Sequence, residues 1–525
     1  MATIEIVGNM AWIVTNENLD EELVNTLKKV CSYIPPSAGY IAKENIKKQE
    51  MRGVENPVYD VEKLRTVLFN SVTYSFPAGL AEMVRELLLV HGVEVDIVQE
   101  HKPTVPPYER FMQVSLSDWG NGKKAWEHQL RALEYSCHSL RGIFQLPTGS
   151  GKTTLGLKIW EVWGHKLALV LAPTTTICEQ WVKDIKTFYP ERTIGYWFGH
   201  HKKRMMNINI MTNAMAQSIL KNPEKHKMGN ILLKKVKFVL VDECHHVGGS
   251  NYGRPNSLYN VLISLDSVEL IFGLTATAKM RTDDSNIYQE ASIGGIIMRV
   301  EPNELVEKGI LVPPKIKFAL IRPISLRARK TGTKINAKTG KQVETEPKLK
   351  YYKYQYRTAI VNNEERNMRI IKEAIRMAKN ERRVIIFTKL VEHINEIFLK
   401  LSGLKSGLEI AFSHGQDEQR VEKLTNFRDG NIDIMIVTNK LLGEGLNIPA
   451  ISGIVYAIGE KSETAVAQAI GRAMRNYEGK FDCQILELAD STHPFSEYTT
   501  NRLRYYIDNG YKVDLSECKW LERFI

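Results

Sequence analysis

Residues 143–154 read IFQLPTGSGKTT, the most informative stretch of the chain for its fold and chemistry. An apolar strand runs into a Gly-Ser-Gly loop, and a helix is expected to follow from Lys152. Glycine lets backbone N–H groups approach a phosphate closely, and a helix N-terminus favours negative charge. The strict pattern has a further glycine five residues before Gly151, where this sequence has Leu146. The stretch therefore predicts an ATP-phosphate loop, with Lys152 on the β and γ phosphates and the Thr153 hydroxyl on Mg²⁺.

A second apolar stretch, KFVLVDE at 237–243, ends in two adjacent carboxylates. Asp242 is expected to hold Mg²⁺ through its water, since Mg²⁺ prefers few protein ligands and retained waters. Glu243 is expected to orient and deprotonate the attacking water. His245 is placed to relay the nucleotide state to a facing domain. ATP and Mg²⁺ are thus the expected cofactors of a hydrolysis reaction.

Short β-rich runs followed by polar loops recur along the chain, which is typical of parallel sheets covered by helices. One series is RGIFQLP, LALVLAP, INIMT, KFVLVDE and LIFGLTAT; a later one is VIIFTK, LEIAFSHG, DIMIVTN, ISGIVYAIG and CQILELAD. Two tandem α/β domains follow, with ATP expected between them. Residues 1–100 predict a small α+β unit instead, and the proline-containing segment HKPTVPPYER after it predicts a linker.

Composition and charge limit the class of protein. A length of 525 residues suits three domains, and no apolar run is long enough to span a membrane. The N-terminus lacks the pattern of a signal peptide, and six scattered cysteines without a CxxC pair suit a reducing cytoplasm rather than a zinc site. Residues 1–110 hold 11 Lys/Arg against 16 Asp/Glu, which leaves 60 against 44 in 111–525. A polyanion-binding field is therefore expected on the larger, C-terminal part.

Four segments, PTGSGKT, DECH, LTATA and QAIGRAMR, occur in the order and spacing of superfamily 2 helicases. The chain resembles that superfamily over about 125–490, and in its DExH variant and compact layout it is similar to the XPB-like and phage UvsW-like branch. The resemblance implies an α/β fold with two RecA-like motor domains. The expected division is an accessory domain at 1–108, the ATP-binding motor domain at 109–318 and the C-terminal motor domain at 319–525.

The resemblance also implies a role for each matching residue. Contacts to ATP are expected from Gln129, which would read adenine, and from Thr148, Gly149, Ser150, Gly151, Lys152, Thr153, Thr154, His245, Gly443 and Gly445. Catalysis is expected from Lys152, Asp242, Glu243, Gln468, Arg472 and Arg475, with the two arginines on one helical face neutralising γ-phosphate charge. Nucleic-acid backbone contacts are expected from Pro173, Thr174, Thr212, Thr388 and Thr438, and coupling from Thr275, Ala276 and Thr277. Motif V departs from the family near Glu444 and Asn447, which leaves its contacts open.

Two segments keep alternative interpretations. The stretch 322–350 holds nine Lys/Arg and two acidic residues, and its glycines suggest a hairpin. It could separate strands, grip a duplex or be a solvated insertion. YYKYQYR at 351–357 could stack bases, but a helix with Tyr352 and Tyr356 packed on the domain is favoured.

The expected function is an ATP-dependent DNA helicase that unwinds or branch-migrates forked or branched DNA, tracking 3′ to 5′, in replication, recombination or repair. The alternatives are a duplex DNA translocase or RNA helicase, and an ATP-gated nucleic-acid clamp that does not move. A monomer in a bacterial or phage-infected cytoplasm is expected, with no membrane contact. The acidic N-terminal unit could present a local basic face, recognise branched DNA by shape or contact a protein partner.

Overall fold

The computed structural model divides by its internal contacts into two compact units, Met1–Leu146 with Gly151–Val300, and Pro147–Ser150 with Glu301–Ile525. It describes residues 2–35, 61–120, 122–201, 203–248, 255–277, 286–326, 332–335, 342–345, 348–438, 451–460 and 463–524, with the single positions 38, 42, 45, 46 and 49. In these ranges, no helix is both long and apolar enough to cross a membrane.

The first unit is built on a seven-stranded sheet whose neighbouring strands are all parallel. Its strands are β7 (Arg141–Gln145), β8 (Ala168–Ala172), β9 (Ile194–Trp197), β10 (Ile208–Thr212), β11 (Phe238–Asp242), β12 (Leu270–Thr275) and β13 (Ile296–Arg299). They lie in the order β13-β7-β12-β11-β8-β10-β9. The central strands are buried along their whole length, as expected when helices cover both faces.

Helices alternate with these strands along the chain. Their bounds are Tyr108–Leu116, Glu127–His138, Lys152–Val162, Thr175–Phe188, Asn213–Lys221, Lys227–Lys235, Ser257–Ile263 and Asn286–Ile293. The predicted linker is shorter than expected, because the helix Tyr108–Leu116 begins directly after Pro107. Pro107 lacks an N–H, so it fits the position before a helix.

The N-terminal part forms a four-stranded sheet in the order β5-β2-β1-β6. Its strands are β1 (Ala2–Val7), β2 (Met10–Thr15), β5 (Ser75–Pro77) and β6 (Val95–Gln99); β3 (Ser32–Tyr33) and β4 (Thr66–Val67) form a separate pair, and the helices are Glu21–Val30 and Ala81–Val90. Its buried side chains belong to the same hydrophobic cluster as those of the seven-stranded sheet. Asn9 joins the two parts: its Nδ2 donates to the carbonyls of Leu262 and Ser292, and its Oδ1 accepts from Arg141 at 2.7 Å.

The second unit contains another parallel seven-stranded sheet, in the order β18-β19-β17-β20-β21-β14-β22. Its strands are β14 (Pro314–Ile321), β17 (Arg383–Thr388), β18 (Ile410–Ser413), β19 (Ile434–Thr438), β20 (Ile451–Tyr456), β21 (Cys483–Asp490) and β22 (Val513–Asp514). Its helices are Pro302–Glu307, Lys348–Tyr356, Glu364–Lys379, Val391–Gly403, Arg420–Asp429, Glu463–Ala473 and Phe495–Asp508. Two such sheets in tandem confirm the predicted fold class.

The basic segment contains two paired strands, β15 (Gly332–Ile335) and β16 (Gln342–Thr345), in antiparallel register. The helix Lys348–Tyr356 follows, and the rings of Tyr352 and Tyr356 lie 6.2 and 6.0 Å from that of Phe495. Tyr356 is buried, with its hydroxyl donating to the carbonyl of Ile458. These two tyrosines therefore pack on the domain, which confirms the favoured interpretation over a base-stacking platform.

Candidate active site

The phosphate loop connects β7 to the helix Lys152–Val162, as the sequence predicts. Gly149 and Gly151 have φ of +90° and +78°, a backbone region that side chains disfavour. Lys152 begins the helix, and its Nζ donates to the Leu146 carbonyl at 3.1 Å. Leu146 stands where the strict pattern has glycine, and its carbonyl holds the lysine beside the loop. Thr153 and Thr154 follow in the first helical turn.

Gln129 lies against this loop from a separate element, the helix Glu127–His138. Its Oε1 accepts from the backbone N–H of Trp126 at 3.0 Å, and its Nε2 lies 3.5 Å from the Gly151 carbonyl oxygen. The side chain is buried. Its position beside the phosphate loop agrees with a nucleotide contact, and the specific role in reading adenine stays a prediction.

The two adjacent carboxylates lie at the end of β11. Asp242 is its last residue and is buried, while Glu243 turns the chain with a φ of +47°, which is rare for a residue with a side chain. The Oδ1 of Asp242 accepts from the N–H of Glu243 at 2.9 Å, and its Oδ2 accepts from the indole Nε1 of Trp181 at 2.8 Å. Both oxygens of Asp242 are therefore fixed in direction.

His245 connects this pair to the end of β12. Its Nδ1 lies 3.0 Å from the Thr275 hydroxyl and 3.3 Å from a carboxylate oxygen of Glu243. The Thr275 hydroxyl in turn accepts from the N–H of Thr277 at 3.1 Å, and Ala276 lies between them in the chain. The predicted base, relay and coupling residues thus form one hydrogen-bonded group.

The two carboxyl groups of this site have pKa values shifted in opposite directions. Burial and the neighbouring Glu243 raise the pKa of Asp242. Burial also acts to raise the pKa of Glu243, but its hydrogen bond with His245 and the charge of Lys152 outweigh this and lower it. Glu243 is therefore ionised at neutral pH, as a base must be. For Asp242, the positive charge of Lys152 does not offset burial and the charge of Glu243. A divalent cation beside the carboxylate would therefore favour its ionised form.

The side chains of Asp242 and Thr153 suit a magnesium ion that binds together with ATP. Across the described part of the chain, no three His, Cys, Asp or Glu side chains come together as a metal site. Mg²⁺ commonly takes one or two carboxylates together with substrate phosphates and water. Asp242 and the hydroxyl of Thr153 would hold it, and ATP would complete its ligands.

The predicted nucleic-acid residues of the first unit lie at one edge of its sheet. Pro173 and Thr174 follow β8, and Thr212 ends β10, its parallel neighbour. Both threonines cap helices: Thr174 accepts from the N–H of Ile177 and Thr212 from that of Met215, each at 3.3 Å. Their hydroxyls therefore have structural roles, and the adjoining helix N-termini could receive phosphate.

In the second unit, Thr388 and Thr438 pair across the parallel neighbours β17 and β19. Both are buried, and the Thr388 hydroxyl donates to the carbonyl of Val437 at 3.3 Å. A hydroxyl contact from Thr388 to phosphate would require that bond to break. Lys389, the next residue, is 37% exposed and is paired with Glu460. This lysine was not predicted from the sequence, although a cation directly after a strand end is a signal that could have indicated it.

The helix Glu463–Ala473 carries Arg472 but ends before Arg475, so the two arginines do not share one helical face as expected. Arg475 instead forms an antiparallel bridge with Leu311. Lys480 stabilises the C-terminal end of this helix, since its ammonium donates to the carbonyls of Ala473 and Arg475. The structure does not describe four of the predicted positions, which are Gly443, Glu444, Gly445 and the side chain of Gln468.

Comparison with known proteins agrees with this arrangement. Residues 123–280 match the family model described as the type III restriction enzyme res subunit, and 366–477 match the helicase conserved C-terminal domain. The chain is 24% identical over 404 residues to the DNA 3′-5′ translocase XPB2 of Sulfurisphaera tokodaii, covering 72% of this chain and 84% of that protein. It is 23% identical over 458 residues to the ATP-dependent DNA helicase uvsW of phage T4, covering 83% and 84%.

A solved structure supports the fold alone. Dbp5 of S. cerevisiae, bound to RNA and ADP BeF3, matches 79% of this chain and 99% of its own with a TM-score of 0.51 and 16% identity. The fold and the phosphate loop define a nucleotide-driven α/β motor. With the two family matches and these relatives, the chain belongs to helicase superfamily 2 and is an ATP-hydrolysing helicase.

Proposed function

We propose that this chain is a magnesium-dependent DNA helicase that moves on DNA and unwinds or branch-migrates forked or branched substrates. The observation that carries the proposal is the group of Lys152, Asp242, Glu243, His245 and Thr275 beside the phosphate loop. DNA is the proposed substrate because both relatives compared above are named for DNA, and residues 111–525 carry the excess of basic charge.

In the proposed hydrolysis of ATP, each residue of the site has a separate role. Lys152 exchanges its bond to the Leu146 carbonyl for the β and γ phosphates. Glu243, kept ionised by His245 and Lys152, accepts a proton from the attacking water. When bound, Mg²⁺ supplies charge neutralisation on the phosphate oxygens, with Asp242 and Thr153 as its protein ligands. Arg472 and Arg475 keep their predicted role on the γ-phosphate.

The proposed nucleic-acid contacts are to the backbone. Pro173, Thr174 and Thr212 belong to the first unit, and Thr388 and Thr438 to the second. Contacts of this kind read little sequence and depend strongly on salt. Lys389 joins the set as a cation that can exchange Glu460 for a phosphate.

The test compares ATP hydrolysis and strand separation on single-stranded DNA, plain duplex, forked DNA, a four-way junction and the equivalent RNAs. We expect hydrolysis to be stimulated by DNA, and strands to separate on forked and junction substrates. Lys152→Ala is the matched control, since it should abolish hydrolysis while the protein stays folded. Stimulation by RNA in preference to DNA would overturn the substrate assignment.

A second candidate is a DNA translocase that moves on duplex without separating it, favoured by the similarity to the DNA 3′-5′ translocase of Sulfurisphaera tokodaii. Displacement of a third strand from a triplex distinguishes it. Triplex displacement with no unwinding of forks would favour the translocase, and unwinding of forks would favour the helicase.

A further inference from the structure

Trp181 is a buried side chain that the sequence motifs do not include. It lies on the helix Thr175–Phe188, is 1% exposed, and donates from Nε1 to the Oδ2 of Asp242 at 2.8 Å. The other oxygen of Asp242 accepts from a backbone N–H at 2.9 Å. Trp181 is therefore the side chain that sets the rotation of the candidate magnesium ligand. A hydrogen bond to a charged acceptor is stronger than a neutral one, so this contact fixes it well.

The same indole packs beneath the helix that follows the phosphate loop. A Cβ added to Gly156 of that helix would lie 3.0 Å from the Cη2 of Trp181, closer than side chains normally approach. The helix Lys152–Val162 can therefore approach the indole because position 156 lacks a side chain. Trp181 touches both halves of the candidate ATP site, the phosphate-loop helix on one side and Asp242 on the other.

The helix that carries Trp181 begins in the predicted nucleic-acid loop. Thr174 is its N-cap and accepts from the N–H of Ile177. Trp181 lies seven positions after Thr174, which is about 10 Å along a helix axis. A helix of this length transmits a displacement of its first turn to its second and third turns, because its backbone bonds hold them together.

We infer that Trp181 is a positioning residue that links nucleic-acid contact at Pro173–Thr174 to the orientation of the Asp242 carboxylate. The inference rests on the proposed function, since it assigns a route by which DNA would stimulate hydrolysis. DNA bound at the loop shifts the first turn of the helix. The indole moves with it, and the carboxylate rotates because its hydrogen-bond donor has moved.

Trp181→Phe tests the route, since it removes the N–H and keeps an aromatic ring in the core. Trp160→Phe is the matched control. Trp160 is equally buried in the same unit, but its Nε1 donates to the Lys166 carbonyl at 2.7 Å, away from the candidate site. ATP hydrolysis is measured with and without single-stranded and duplex DNA. Binding of ribose-labelled ATP is measured by fluorescence with magnesium and with EDTA.

We expect Trp181→Phe to lower the DNA-stimulated kcat about tenfold, equivalent to roughly 1.4 kcal/mol, and to bring the stimulation ratio close to one. Magnesium should strengthen ATP binding less in this variant, while the affinity in EDTA stays that of wild type. Trp160→Phe should keep both the stimulation ratio and the magnesium effect.

An unchanged stimulation ratio and magnesium effect in Trp181→Phe would overturn the inference, as would wild-type hydrolysis that DNA does not stimulate. Absence of hydrolysis in the wild type would instead overturn the proposed function. If Trp181→Phe does not fold, Gly156→Ala replaces it. The added methyl would lie 3.0 Å from the indole and 3.1 and 3.2 Å from the Cδ1 atoms of Leu240 and Leu274, so these side chains must shift by a few tenths of an ångström. The same two readouts apply.

Discussion

Gly151→Ala places a defined strain at the phosphate loop. The residue has a φ of +78°, and an added Cβ would lie 2.4 Å from the Nε2 of Gln129 and 3.3 Å from the ring of Trp126. The left-handed conformation costs an alanine about 1–2 kcal/mol. The close contact must displace the Gln129 amide, which removes a hydrogen bond of about 1 kcal/mol.

The free loop can relax and avoid this cost, but ATP binding requires the original conformation. The strain and the lost contact therefore weaken binding by about 2–3 kcal/mol in all, or about 30- to 150-fold in Kd. Titration with ribose-labelled ATP measures the change. Gly92→Ala is the control, because its φ is +76° and no described atom lies within 4 Å of the added carbon.

Gly92→Ala should lower the thermal stability and leave ATP affinity unchanged. The double variant with Gln129→Ala should bind more tightly than the two single effects predict, since it removes the clash. If Gly151→Ala and wild type bind ATP with equal affinity, ATP does not need the left-handed conformation at this position and the predicted weakening is wrong.

Three further outcomes are expected. Glu243→Gln should lower kcat about 10²- to 10⁴-fold, the usual range for a general base, with ATP binding retained in a fluorescence titration. Burial lowers the pKa of Lys480 to about 8, so the folded protein releases this proton before the unfolded chain does. Stability then rises with pH above about 8, and the melting temperature of wild type relative to Lys480→Met should rise between pH 7 and 10. Asn9→Ala leaves the half-buried Arg141 without its side-chain acceptor and should destabilise the first unit by about 1–3 kcal/mol, measured by denaturant unfolding, with the affinity for ATP unchanged.

The strands that could be predicted were apolar runs, and all of them except β18 lie in the interior of the two sheets. The four-residue edge strands β9 (IGYW) and β13 (IIMR) of the first sheet were not predicted, whereas β18 (IAFS), equally short and at an edge of the second sheet, was. β14 was also missed, since the sequence placed the boundary between the motor domains inside it. An edge strand pairs on one side alone, so its sequence need not be as apolar as that of a central strand.

In the candidate site, too, some features could be predicted from the sequence and others could not. The phosphate loop and the two carboxylates depend on neighbouring residues, so their arrangement could be predicted from the sequence. The bond between Trp181 and Asp242 joins residues 61 positions apart, and no local pattern indicates it. The buried hydroxyl of Thr388 and the helix end before Arg475 depend on packing by other strands and segments.

Arg141 shows how the first unit joins its parts. Its guanidinium donates to the Oδ1 of Asn9 at 2.7 Å and to the Gly8 carbonyl at 3.2 Å, and burial lowers its pKa to about 10. A guanidinium that is partly withdrawn from water needs fixed acceptors, so separating the N-terminal sheet from Arg141 would cost both hydrogen bonds. Arg141 also begins β7, the strand that leads into the phosphate loop. The N-terminal sheet and the phosphate loop are therefore both fixed to β7, the sheet through the hydrogen bonds of Arg141 and the loop through the chain itself.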